Sequence, residues 1–228
     1  MTMNAFSNLS IVIPVGPDDS AWRVLLSDLS LFGSEPEIIL SACQPRPDGR
    51  ELPEHARWIQ ASKGRARQLN SGANASTRQV IWFLHADTRL TATVADAVER
   101  FAQNNHCCLG YFILKFSDDG PRRTLLNAWA ANLRSSVFGL PFGDQGLLVQ
   151  RAFFHQIHGF DERVEPGEDL DFIVRAKAAG IQLKQIPAEL ITSARRYRQQ
   201  GWLMTTLRHL YLTGLLTVQA RRRLKLTG

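Results

Sequence analysis

Short apolar runs rich in β-branched residues alternate with segments of helical periodicity along the first half of the chain, and this alternation narrows the fold more than any other feature. LSIVIPV (9–15) is such a run, stopped by Pro14 and Gly16, as expected of a buried strand. GPDDS then supplies turn residues and an N-cap for a helix over about 20–32, where Trp22, Leu25, Leu26, Leu29 and Phe32 recur at helical spacing. PEIILSAC (36–43) and ARWIQAS (56–62) read as further strands, residues 65–77 as a short helix after Gly64, and QVIWFLHAD (79–87) as a fourth strand. The order β-α-β-β-α-β predicts an α/β fold, with a mostly parallel sheet covered by helices on both faces.

In the second half, TATVADAVERFAQNN (91–105) places Val94, Val98 and Phe101 on one helical face ahead of a strand, CCLGYFILKF (107–116). SDDGP turns the chain. RTLLNAWAANLRSSVFG then repeats Leu126, Trp129, Ala130, Leu133 and Val137 at steps of three and four, which predicts an amphipathic helix. Three glycines break helical order in GLPFGDQGLLVQ, which leads to a helix over RAFFHQIHG. EPGEDLDFIVRAKAAG starts with turn chemistry and becomes a helix, IQLKQIP (181–187) is a last short strand, and TSARRY leads into a basic C-terminal helix.

With 228 residues, 44% of them hydrophobic, the chain is long enough to bury one substantial core, and no linker divides it. No run approaches the roughly 18 apolar residues of a spanning helix, and the first residues lack the pattern of a secretory signal, so a cytoplasmic location is expected. Cys43, Cys107 and Cys108 have neither disulfide-framework nor zinc-ligand spacing. The formal charge of +6 is unevenly placed: from Arg195 onward there are eight Lys and Arg and no Asp or Glu, while residues 1–194 are slightly acidic. That tail, interleaved with Trp202, Leu203, Leu207, Leu210, Tyr211, Leu215 and Leu216, suits either an anionic membrane surface or a packed helix with a solvated basic end; nucleic acid is the less favoured partner.

Topology draws two distant segments together. In a parallel α/β unit the helix beginning at Lys63, Gly64, Arg65 and Arg67 starts at the sheet edge where the following strand ends, at His85, Ala86 and Asp87. A helix N-terminus flanked by arginines suits phosphate, and a carboxylate beside phosphate requires a cation between them. Asp87 is therefore the candidate metal ligand, although HADT could equally cap the helix near Thr91. In the acidic cluster Glu168-Asp169-Leu170-Asp171, Asp169 is the candidate general base and Glu168 its acidic neighbour; the alternative is that these acids complement a helix dipole. Gly143, Asp144 and Gln145 of FGDQG permit close ligand approach or serve a tight turn. No G-x-S-x-G elbow, P-loop or dinucleotide fingerprint occurs, which weighs against hydrolase, kinase and dehydrogenase readings.

Together, LSIVIPV, GRARQLNSGA, FLHADTRL, GDQG, ED and TSARRY, in that order over about residues 8–215, resemble the family 2 glycosyltransferases of the GT-A fold, in particular the bacterial radical-SAM/selenodomain-associated transferase 2 subgroup. The resemblance implies a Rossmann-like nucleotide-diphospho-sugar transferase domain over 1–194, with 195–228 as a basic amphipathic helical extension of it. It implies a nucleotide-sugar donor, a divalent cation (Mn²⁺ or Mg²⁺) on Asp87, and inverting transfer to an acceptor hydroxyl, a lipid-linked one included. Asp169 would be the base with Glu168 beside it; Arg65, Arg67, Asn70 and Gly72 would face the nucleotide or its phosphates; Gly143, Asp144 and Gln145 would border sugar and acceptor. Arg195 and Arg196 would meet the diphosphate, or belong to the solvated tail.

Two segments depart from the family pattern. Ser41-Ala42-Cys43-Gln44 replaces the acidic segment that reads the base, and Gly16-Pro17-Asp18-Asp19 replaces the usual asparagine-glutamate pair, leaving Asp18 or Asp19 to fill that role. The alternatives to a glycosyltransferase are a nucleotidyltransferase of related fold and a non-catalytic membrane- or nucleic-acid-associated module. A peripheral position on the inner face of the membrane is the second location open to the glycosyltransferase, as it is to the membrane-associated module.

Overall fold

Every residue of strand β1 (Leu9–Val15) except Pro14 is buried, because this strand runs through the centre of a sheet packed on both sides. The computed structural model describes residues 5–47, 52–104, 108–207, 211, 214–216 and 218. The other strands are β2 (Glu37–Ala42), β3 (Ala56–Gln60), β4 (Val80–Phe83), β5 (Cys108–Phe116), β6 (Leu147–Gln150) and β7 (Gln182–Thr192), in the order β3-β2-β1-β4-β6-β5-β7. The helices are α1 (Trp22–Leu29), α2 (Arg65–Ala75), α3 (Ala92–Asn104), α4 (Thr124–Phe138), α5 (Arg151–Gln156), α6 (Glu168–Ala178) and α7 (Arg195–Gln200). Residues 202–207 are helical as well.

The period of two along each strand splits the core into two layers. Leu9, Ile11, Ile13, Trp82 and Leu84 face one side with Leu25 of α1 and Val94, Val98 and Phe101 of α3. Val12, Ile81 and Phe83 face the other with Ala66 and Leu69 of α2, Phe154 of α5 and Phe172 of α6. The helix-covered, mostly parallel sheet expected from the sequence is present: β1 is parallel to β2 and β4, β2 to β3, and β5 to β7.

Four features differ from the sequence reading. Strand β4 stops at Phe83, and a turn closed by Thr88 N–H donating to His85 O (3.1 Å) carries Asp87 clear of the sheet. Residues 147–150, read only as a connection, form β6, antiparallel to both β4 and β5. β7 passes Pro187 and continues to Thr192, because a bulge opposite Phe112 and Ile113 absorbs the missing donor on an edge strand. The apolar stripe of α4 points outward: Leu126, Trp129 and Val137 are 62%, 65% and 63% exposed, and the helix instead meets the sheet through Thr124, Ala128 and Ser135. Cys107, Leu210, Arg208 and the basic residues from Arg221 onward lie outside the described residues.

Helix α2 sits against β1 through Gly72, where an added Cβ would fall 2.3 Å from Val12 Cγ1. Gly72→Ala should therefore destabilise the fold by about 1–3 kcal/mol through overpacking, against a helix-propensity gain of about 1 kcal/mol. In urea unfolding, Val12→Ala combined with Gly72→Ala should cost less than the sum of the two single changes.

Candidate functional site

The direction of β6 gathers the site. Because it runs against β4 and β5, the loop that enters it (143–146) lies at the same sheet edge as the outgoing ends of β1, β4, β5 and β7. The strand order reverses between β1 and β4, the place where open α/β sheets leave a crevice. Helices α2 and α6 begin there too.

Gly143 is the meeting point. A Cβ on it would stand 2.9 Å from Arg65 Nη2, 3.0 Å from His85 Nε2 and 3.3 Å from Asp169 Oδ2, so only a hydrogen leaves room for all three. Its N–H donates to Asp169 Oδ2 (2.8 Å), and the Leu170 N–H donates to Asp169 Oδ1 (2.8 Å), which fixes that carboxylate's orientation. Arg65, His85, Gly143 and Asp169 line one cavity. Buried Glu168 lies 3.2 Å from Arg65 Nε through Oε1 and accepts the Gly167 N–H through Oε2 (3.0 Å). Glu165 Oε1 accepts the Arg65 N–H (3.1 Å), so the chain supplies a carboxylate partner to the start of α2.

Burial sets the electrostatics, and shared arginines moderate it. Burial raises the Asp87 carboxyl, opposed by Arg195, with Asp19 adding to the rise and Arg65 opposing it. Asp144 is pushed up to about 6, again by burial, with Arg134 opposing and Asp169 adding. Glu168 is raised by burial and by Asp169, against Arg65. His85 falls well below its ordinary range through burial and the nearby Arg65 and Arg196, so it is neutral at pH 7. Among the described residues its Nε2 has no hydrogen-bond partner, and neither has Asp144 Oδ1.

The structure thus unites Asp87, Arg65, Gly143, Asp144, Glu168, Asp169, Arg195 and Arg196, with Asp19 in electrostatic reach. Other expected site residues are committed elsewhere. Asn70 Nδ2 donates to Phe160 O and Oδ1 accepts the Phe160 N–H, both at 2.9 Å. Gly72 faces β1, and Arg67 turns back to Lys63 O (3.0 Å) and toward Glu162 (3.7 Å). Asp18 adopts a positive φ of 57° and donates its N–H to Gln44 Oε1 (3.3 Å). Gln145 is fully buried: Oε1 accepts from Ser135 Oγ (2.6 Å) and Phe142 N (3.2 Å), while Nε2 donates to Phe112 O (3.0 Å).

Three residues not singled out from sequence complete the site. Arg134 lies 3.6 Å from the Phe142 ring centroid, donates Nε to Leu140 O (2.9 Å) and is the nearest cation to Asp144 by its effect. The Tyr197 hydroxyl is pushed up to about 12 by burial and by Asp144. Asp119 accepts the Ala194 N–H (2.7 Å) and the Ser193 hydroxyl, anchoring the segment that delivers Arg195. A lone arginine in an apolar helix and the SDDG turn were the available signals.

Asp87 suits a divalent cation in one respect: its carboxylate is half-buried, yet the hydrogen bond it accepts from Thr192 Oγ1 is long, at 3.5 Å. Among the described residues no group of three or more His, Cys, Asp or Glu could form a protein-only cage. Magnesium-like ions bound through one carboxylate and substrate phosphates need none.

No family model matches the chain, and no curated protein matches it in sequence. Solved structures do match in shape. The mannosyltransferase PcManGT from Pyrobaculum calidifontis, in complex with GDP-Man and Mn²⁺, superposes with a TM-score of 0.60 at 14% identity, over 81% of this chain and 56% of that one. S. aureus TarS 1–349 gives 0.61 at 15% identity, over 82% and 60%. Its complex with UDP-GlcNAc gives 0.61 at 13%, over 82% and 58%. The chain spans less than two thirds of the length of these structures, and its fold is that of the GT-A transferases.

Because the folded Asp144 carboxyl titrates near 6 rather than 3.8, it lowers stability as pH rises. Well below 3.8 both folded and unfolded states are protonated; through the window between the two values only the unfolded state ionises, and above it the folded state carries the full cost, about 3 kcal/mol. Asp144→Asn should exceed the parent in urea unfolding by only about 0.5 kcal/mol at about pH 4 and by about 2–3 kcal/mol at about pH 7.5.

Proposed function

We propose that the protein is a glycosyltransferase that moves a sugar from a nucleoside-diphosphate carrier to an acceptor hydroxyl with inversion at the anomeric carbon. The observation that carries this reading is the meeting of Arg65, His85 and Asp169, from three separate chain segments, around Gly143 at the switch point of a GT-A-type sheet. The structural likeness to proteins solved with GDP-Man and with UDP-GlcNAc supports a nucleotide-sugar donor for this chain.

On this reading Asp169 takes the proton of the acceptor hydroxyl while that oxygen attacks the anomeric carbon. The bond from sugar to diphosphate breaks, and its electron pair leaves with the phosphate oxygen. Two backbone N–H donors hold the Asp169 carboxylate in place for this. Arg65, Arg195 and Arg196 put fixed positive charge where the diphosphate departs, a preorganised stabilisation that requires no rearrangement during the step. Glu168 holds Arg65, so it acts on the reaction by positioning that guanidinium. Asp87 would hold a Mn²⁺ or Mg²⁺ ion, whose charge when bound offsets that of the diphosphate. Neutral His85 adds no positive charge to the sugar side.

Incubation with GDP-mannose, UDP-GlcNAc and other nucleotide sugars with Mn²⁺, followed by mass spectrometry, should show release of a nucleoside diphosphate. Release of pyrophosphate from nucleoside triphosphates instead would make the protein a nucleotidyltransferase. Asp169→Asn should lower turnover about 10²–10⁴-fold, while calorimetric affinity for the nucleoside diphosphate changes little. Gly143→Ala should abolish transfer by displacing Arg65 and Asp169, yet shift the thermal midpoint only slightly, since the guanidinium it meets is the end of a flexible side chain.

A further inference from the structure

Twelve of the fourteen exposed large apolar side chains among the described residues lie on two neighbouring helices. On α4 they are Leu125, Leu126, Trp129, Leu133, Val137 and Phe138. Along the helical residues from 202 onward they are Leu203, Met204, Leu207, Tyr211, Leu215 and Val218, spaced at three and four. The two helices are joined: Trp202 Nε1 donates to Asn127 Oδ1 (2.6 Å), Asn127 Nδ2 donates to Thr206 Oγ1 (2.9 Å), and Arg123 stacks over the Trp202 ring at 5.6 Å. The C-terminal segment keeps its other face for the protein: Thr205 is buried, and an added Cβ on Gly167 would fall 2.3 Å from Leu216 Cδ1, so Leu216 rests on the turn before Glu168. Both helices therefore show apolar residues to the outside, on a scale beyond the scattered exposure usual for a monomer.

We propose that this double face seats the protein on an anionic lipid bilayer. Charge selects this occupant over a second copy of the chain. Eleven of the 27 Lys and Arg, and none of the 21 Asp and Glu, fall in residues 120–143 and 190–228, so the rest of the chain is net acidic. Two copies meeting through these faces would bring like charges together, whereas an anionic surface neutralises them. Arg122 and Arg123 are exposed just before α4, and Arg198 is exposed on α7, which leads into the C-terminal helical residues. An apolar face rimmed by arginines, with Trp129 and Tyr211 among its residues, is the composition of an element lying in the bilayer interface. Among the described residues no helix is long and apolar enough to cross a membrane, so the attachment is by lying on it. The proposal extends docking from the basic tail to α4, whose last turn leads through residues 139–142 to Gly143.

The test uses the full chain and vesicles, with no donor or acceptor, so it stands apart from the transferase reading. Co-sedimentation with vesicles of phosphatidylcholine containing a third phosphatidylglycerol should show binding that weakens about tenfold or more as salt rises from about 0.05 to about 0.5 M. Leu126→Glu with Trp129→Glu should weaken it about tenfold or more, and Leu207→Glu should do likewise, while Leu31→Glu, on an exposed turn elsewhere, leaves it unchanged. All these positions are exposed, so circular dichroism and thermal midpoints should match the parent. Absence of vesicle binding at low salt, equal salt-insensitive binding to pure phosphatidylcholine, or unchanged binding by the α4 double variant would each overturn the proposal. So would self-association in sedimentation that the double variant abolishes while vesicles are not bound, which would assign the face to a second copy.

Discussion

Strand β6 runs against its neighbours, and its direction decides where the chemistry of this chain collects. A parallel strand there would have placed the loop 143–146 at the opposite edge from Asp87, Arg65 and Asp169. Reversed, it brings Gly143 among all of them, and the absence of a side chain at that position lets Arg65, His85 and Asp169 approach one another. The strand is short, with Gly110 of β5 its one registered partner on that side among the described residues, and side chains take over where it ends. Gln145 Nε2 serves the Phe112 carbonyl, and Asn132 pairs both backbone groups of Leu114, at 2.8 and 2.9 Å. Unpaired backbone groups beside a buried sheet are costly, so this substitution for a missing strand is a condition of the fold rather than an ornament of the site.

The same convergence crowds charge. Asp87, Asp144 and Glu168 all have their carboxyls raised first by burial, and Arg65 opposes the rise in each of them. One guanidinium thus tempers three acids, and its own position depends on Glu168. Such a set of partly compensated groups, held by burial rather than by mutual pairing, is what a site for an anionic ligand and its cation requires, because the ligand can change the balance of charge without breaking a closed network.

Much of this was legible in the sequence, for physical reasons that can be named. The continuous apolar run makes LSIVIPV read as a central strand, and the rule that helix starts and parallel strand ends share an edge places Arg65 near Asp87 from sequence order alone. Direction and orientation were not legible. GLLVQ is as apolar as a parallel strand would be, so nothing local reveals that it runs backward. Pro187 suggests a strand end, and only the edge position and bulge of β7 let it continue. Asn70, Gly72 and Gln145 belong to motifs, but their atoms are taken by Phe160, Val12 and Ser135, contacts between elements distant in sequence. Arg134 and Tyr197 join the site only because α4 and α7 pack at its rim.

The outward apolar face of α4 raises the question of what keeps the helix from rolling to bury it. Periodicity alone would turn Leu126 and Leu133 inward, since burying such side chains is favourable by roughly 1.5–3 kcal/mol each. Directional bonds oppose that rotation. Asn132 is paired with Leu114, Tyr111 Oη donates to Ser135 O (3.1 Å), and Ser135 Oγ donates to Gln145 Oε1 (2.6 Å). Rolling the helix would strand the buried groups of β5 and free Gln145 at once, and several unsatisfied buried polar groups cost as much as the apolar burial would return. Gln145 also closes the turn that presents Gly143 and Asp144. The hydrogen bonds that aim the apolar face outward are therefore the ones that shape the loop at the centre of the site, so the orientation of α4 and the geometry around Gly143 are set by a single network.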